Sequence, residues 1–217
     1  MGDDNRFALS EILNFANARG SKAPFYHRID EHKIGAFGHS IGGLAAARTC
    51  QIDTRVDACM DQDSDDDRGS PFIVTPLDET EKQPFLLFDV SSGDLWSPAT
   101  VTPSDADLAA QKMTRPKYMA LLKQHQTNEI HQLAGIVGGS YRVMLFGLPG
   151  FIHRSFTDQT LLDFSGDPLG NNLRNFQIAQ AFVLAFFDKY LKGDHNTALD
   201  TQTPVDARAK VVQFPAH

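Results

Sequence analysis

A serine hydroxyl, an imidazole and a carboxylate form a hydrolytic centre when a fold brings them together, and this chain carries all three in suggestive settings. The serine is Ser40, in Gly38-His39-Ser40-Ile41-Gly42. An apolar run, Ile34-Gly35-Ala36-Phe37, precedes it, and a helix-forming run, Leu44-Ala45-Ala46-Ala47-Arg48, follows. Gly-x-Ser-x-Gly between a strand and a helix predicts a nucleophile elbow. Such a turn is tight enough that glycine is expected on both sides of the serine. It would hold Ser40 in a strained backbone conformation with its hydroxyl exposed. The backbone N–H of Ile41 would then point where a tetrahedral oxyanion forms.

The serine needs a base. Of the eight histidines, His153 is the best placed, in Gly147-Leu148-Pro149-Gly150-Phe151-Ile152-His153, a loop following an apolar strand. Catalytic groups of open parallel sheets gather on the loops after strand C-termini. His27 and His32 precede the elbow, His217 is terminal, and His125 and His131 have a spacing that puts them on different helical faces. His39 adjoins the nucleophile, and its ring is expected to point away. Two carboxylates could orient the base: Asp63, after Val56-Asp57-Ala58-Cys59-Met60-Asp61-Gln62, and Asp94, in Ser91-Ser92-Gly93-Asp94-Leu95. Both give the chain order Ser, Asp, His of α/β-hydrolases. Spacing alone favours Asp94.

Several stretches taken in order resemble one family. Asp30 to Gly43 is similar to the elbow of the plasma and bacterial type of platelet-activating-factor acetylhydrolase-like α/β-hydrolases. Ala58-Cys59-Met60-Asp61-Gln62-Asp63 resembles their next strand, Gly150 to Asp158 their histidine loop, and Ala185 to Asp194 with Ala198-Leu199-Asp200 their closing helix and tail. The resemblance runs, with gaps, from about residue 5 to 200. It implies Ser40 as nucleophile, Asp63 rather than Asp94 as acid, His153 as base and Ile41 as an oxyanion donor. It also implies cleavage of a short-chain or phospholipid-like acyl ester through an acyl-enzyme, without a cofactor. Other chemistries of the fold, peptidase or polyester-cleaving esterase, are the alternatives. Two departures stand out. Ser64 and the acidic run Asp65-Asp66-Asp67 follow Asp63 where the family has a bulky residue, and repulsion from that run is expected to raise the pKa of Asp63. The family also places four strands before the elbow strand, whereas Ser40 here leaves room for one helix. The domain is therefore expected to be N-terminally incomplete. Its elbow strand is expected to be a bare sheet edge, covered by a preceding segment or another copy of the chain, and the 217 residues alone are expected to be weakly active or inactive.

The elements that must position these residues alternate. Residues 5–18 read as an amphipathic helix with Phe7, Leu9, Ile12, Leu13 and Ala16 on its apolar face, ended by Gly20 and Pro24. A strand at 34–37, a helix at 42–51, and strands at 56–60, 84–90 and 141–146 follow. A helix at about 172–191 closes the chain, with Phe176, Ala179, Phe182, Val183, Phe186, Phe187 and Tyr190 facing the core. This pattern predicts an α/β fold with a mostly parallel sheet, corresponding to the α/β-hydrolase type from the elbow strand onward, in one domain spanning 1–217. Residues 97–139 read as an insertion with helices at Ala106–Met113 and Lys117–Ala134, a surface excursion or a cap over the site.

Composition narrows the partners. With 41% hydrophobic and 22% charged residues the chain can bury a sizeable core. A formal net charge of −7 argues against nucleic acid or an anionic membrane surface. No apolar run reaches transmembrane length and no signal peptide is evident, so a soluble protein acting on a small ester or lipid-like substrate is expected. Cys50 and Cys59 are too few for a disulfide framework and are expected as buried thiols, one on the helix after the elbow and one on the next strand. Asp61-x-Asp63-x-Asp65 hints at calcium, but the positions needing Gly and Glu hold Asp66 and Phe72. No metal is expected there.

Overall fold

A computed structural model describes residues 2–18, 25–64, 81–89, 104–145, 151–162, 170–195, 197–200, 206 and 209–217. Asp65, Asp66, Asp67, Phe72, Asp94, Gly20, Pro24, the first part of the insertion (97–103) and residues 146–150 lie outside them. The elements run α1 (Gly2–Asn17), β1 (Gly35–His39), α2 (Ile41–Ile52), β2 (Ala58–Gln62), β3 (Phe85–Asp89), α3 (Asp105–Ala110), α4 (Arg115–Gly135), β4 (Ser140–Leu145), a 3-10 turn (His153–Phe156), α5 (Gln159–Leu162), α6 (Gly170–Lys192) and β5 (Ala209–Phe214).

The five strands form one sheet in the order β1-β2-β3-β4-β5. The first four are parallel, with registers Phe37↔Met60, Met60↔Leu86 and Leu86↔Tyr141. Parallel neighbours need crossovers on the sheet faces, which explains why all five residues of β2 and of β3 are buried. Side-chain alternation divides the core in two. On one face Met60, Leu86, Phe88, Tyr141 and Val143 pack under α6 through Ile178, Ala179, Phe182 and Phe186. On the other, Cys59, Phe85 and Leu87 pack under α2 and α4 through Ala47, Cys50, Leu133 and Ile136. The end of the expected insertion is thus the crossover helix between β3 and β4. Leu108, Tyr118 and Leu122 make a small separate cluster between α3 and α4.

Three expectations need correction. The chain does not close on α6: β5 follows and pairs antiparallel with β4, Val143 opposite Val211. A six-residue edge strand, half exposed, lacks the long apolar run that marks the central strands, so its signal is faint. Cys50 and Cys59 are joined as a disulfide, Cα to Cα 6.2 Å, rather than standing as separate thiols. The inner face of α2 lies directly over β2, which brings the two side chains within bridging range. Finally, α1 buries Leu13 and Ala16 against α2, but Phe7, Ile12 and Phe15 are exposed. Packing against α2 covers only part of that apolar stripe.

Candidate active site

The elbow is built by β1 delivering the chain straight into α2. Ser40 sits between them at φ 57°, ψ −128°. This region is strained for a residue with a side chain and persists only where the surroundings enforce it. Here the Ser40 N–H donates to the Gln62 carbonyl at 2.9 Å, and the Gly43 N–H donates to the Ser40 carbonyl at 2.8 Å. The steric demand for glycine is uneven. A Cβ on Gly38 would lie 2.3 Å from the Gly42 backbone, and one on Gly43 would lie 2.0 Å from Asp61 Oδ1, whereas Gly42 faces open space. Glycine is therefore required at 38 and 43 and not at 42, contrary to the expectation of a clash on both sides of the serine. Ile41 opens α2, so its N–H is among the first-turn donors that have no acceptor within the helix.

Asp63 ends β2 one strand away. Its N–H donates to the Phe88 carbonyl at 2.8 Å, and its own φ of 55° turns the chain off the sheet. Since His39 pairs with Gln62, Ser40 and Asp63 leave adjacent strands at the same level, about 4.8 Å apart in strand spacing. The 3-10 turn carries His153 against Asp63. Its Nδ1 is 2.6 Å from Asp63 Oδ2, across ninety residues of sequence. Asp63 is buried at 6% exposure, while the His153 side chain keeps 30% of its surface open. A buried carboxylate on Nδ1 fixes that nitrogen as the protonated one and leaves Nε2 as the basic atom. The Ser40 side chain makes no capping hydrogen bond to α2.

His39 does not point away. Gly35, Phe37 and His39 alternate onto the face of the sheet that α6 and the 3-10 turn occupy. The His39 ring therefore lies 4.3 Å from that of His153 and 5.8 Å from that of Phe156, centroid to centroid. Its Nε2 is buried without a hydrogen-bond partner. Burial, then the neighbouring His153, push its pKa below the usual histidine value.

Two further groups escape a reading of the sequence. Asp61, fully buried, accepts from the Ser64 N–H at 3.2 Å and from the Ser64 hydroxyl. It thereby ties the turn that holds Asp63 to the face of α2. Arg142, also buried, reaches Asp89 at 2.9 Å and Glu129 at 2.7 Å beneath α4. These charges are scattered in sequence, so only the fold reveals their pairing. Beside the site, an apolar groove of about 340 Å³ runs between Phe37, Gln62 and Phe156 on one side and Ala179, Val183 and Leu184 on the other. No helix of the described residues is long and apolar enough to cross a membrane.

No family model and no curated protein matches the chain. Among solved structures it is similar to a ferulic acid esterase from Streptomyces cinnamoneus, at 23% identity and a TM-score of 0.61, over 97% of this chain and 53% of that one. At this identity the likeness establishes the fold. The chain is a mostly parallel α/β sheet of the α/β-hydrolase type, and it spans about half the length of that esterase.

Proposed function

We propose that this chain is a serine-dependent carboxylic ester hydrolase. Ser40 is the nucleophile, His153 the general base and acid, Asp63 the group that orients it, and the Ile41 N–H a donor to the oxyanion. The observation carrying this reading is the 2.6 Å contact of His153 Nδ1 with Asp63 Oδ2, beside a serine held at positive φ at the mouth of a helix. His153 Nε2 takes the Ser40 proton as Oγ attacks the acyl carbonyl. The same imidazole then protonates the departing alcohol and activates the water that releases the acid. Asp63 keeps the productive tautomer and stabilises the imidazolium. The Ile41 N–H stabilises charge that appears only in the tetrahedral state.

The apolar groove next to Phe156 suits an uncharged acyl chain, in keeping with the short-chain or phospholipid-like esters of the platelet-activating-factor acetylhydrolase-like family. The sequence resemblance supports that family, and the fold is compatible with it. A panel of p-nitrophenyl esters of increasing acyl length, run beside peptide anilides, tests the reaction class. Ester cleavage lost in Ser40→Ala supports the proposal; anilide cleavage alone favours a peptidase. A second reading, a hydrolase domain of low intrinsic activity, has its own support. Among the described residues nothing pairs with the outer edge of β1, and the chain matches 53% of the esterase it resembles. A folded chain with no Ser40-dependent ester turnover or labelling favours that reading, down to a catalytically inactive fragment or subunit.

A further inference from the structure

We infer that His39, Asp63 and His153 form a binding site for a divalent transition metal of the zinc class, and that its occupation switches the hydrolytic pair off. One ligand atom from each residue lies within 4.8 Å of the other two. Two imidazoles and a carboxylate are a characteristic zinc donor set with a fourth position open. Calcium and magnesium prefer oxygen donors and suit this set poorly.

Each residue brings a separate argument. His39 has a buried Nε2 with no partner, a costly state for a polar atom that ligation would relieve. Asp63 supplies a buried negative charge. His153, 30% exposed at its side chain, leaves a path from solvent. Tetrahedral zinc with bonds of ~2.0–2.1 Å sets its ligand atoms about 3.3 Å apart. The His153–Asp63 contact would open modestly from 2.6 Å, and the His39 ring, 4.3 Å from that of His153, would close on it.

The chemical consequence follows from the tautomer. With a metal on His153 Nδ1, the proton formerly shared with Asp63 moves to Nε2 of the same ring. Nothing is oxidised or reduced, and no proton leaves the imidazole. Nε2–H cannot accept the Ser40 proton, so the base is lost while the fold is kept.

Binding does not depend on the ester-hydrolase reading; the inhibition does, and the two are tested apart. The untagged 217-residue chain carrying Ser40→Ala is titrated with zinc chloride by calorimetry near neutral pH. One tight site per chain is expected, weakened at least about tenfold in His39→Phe, which keeps a ring against His153 but has no ligand atom. Circular dichroism checks that this variant folds, and His39→Gln serves if it does not. His217→Ala, far along the chain from the cluster, is expected to bind as tightly as its parent. In the chain with Ser40 intact, zinc is expected to slow fluorophosphonate labelling, and EDTA to restore it. Binding that is absent, or indifferent to both His39 substitutions, overturns the site. Tight His39-dependent binding that leaves labelling unaffected overturns the switch. If Ser40 is never labelled, with or without zinc, the hydrolase reading fails while the calorimetry still decides the metal site.

Discussion

At the scale of single residues, the account rests on which nitrogen of His153 holds the proton. Asp63→Asn keeps the shape of the contact seen at 2.6 Å but lets the amide hold the wrong tautomer. A fall of about 10⁴ in kcat, with KM little changed, is expected from steady-state ester hydrolysis. His39 gives a pH signature. Burial holds its folded pKa below the usual histidine value, so the unfolded chain binds more protons below about pH 7. The stability contributed by neutral His39 is complete above that range. It is lost as pH falls through the unfolded pKa toward the folded one, and then levels off. Thermal melts from about pH 7.5 down to about 5 are expected to show a smaller loss of Tm in His39→Phe than in the parent. The sequence singles out Ser40 and His153 as candidates, through the glycine-flanked elbow and the loop after an apolar strand. Between the two carboxylates its signals divide: spacing alone favours Asp94, while the family resemblance implies Asp63. Asp63 lies against His153, and Asp94 is outside the described residues. The place of His39 also escapes a linear reading, because it depends on which face the 3-10 turn occupies.

At the scale of elements, the close approach of α2 to β2 sets the elbow. Gly43 lies where a side chain would strike the Asp61 carboxylate at 2.0 Å, while Gly42 meets nothing within 4 Å. Gly43→Ala is therefore expected to destabilise by about 1–3 kcal/mol through overpacking. Gly42→Ala, in the same helix, is expected to be neutral or to stabilise by up to about 1 kcal/mol. Urea unfolding of the two variants reads this difference directly. Long periodic elements are legible: the apolar spacing at 172–191 becomes α6 (Gly170–Lys192), and the run at 84–90 becomes β3 (Phe85–Asp89). β5 is not, because an antiparallel edge strand with mixed exposure owes its order to β4 rather than to its own pattern. The Cys50–Cys59 bridge is hidden for a related reason. Two cysteines nine positions apart pair only because a helix folds back over the following strand.

At the scale of the whole molecule, the sheet carries helices on both faces, and among the described residues β1 and β5 are its edge strands. Among the described residues β1 pairs only with β2, and Phe37, Ile41 and Leu184 nearby are exposed. A free edge beside apolar side chains invites pairing with a second copy. Light scattering after size exclusion is expected to show self-association that rises with concentration, and Phe37→Lys is expected to reduce it. The α/β class and parallel order are legible in the sequence because strands and helices alternate with their own periods. The reach of the exposed apolar surface is not, since Phe7 and Ile12 share the apolar stripe of α1 with Leu13 and Ala16, yet only the latter two are buried. The central claim, that Ser40 is an activated nucleophile, is tested most directly by mapping the covalent adduct of a fluorophosphonate by peptide mass spectrometry. The account predicts a single modified residue, Ser40, with labelling abolished in Ser40→Ala and strongly slowed in His153→Ala. A folded chain that takes no label, or takes it equally after Ser40→Ala, would contradict it.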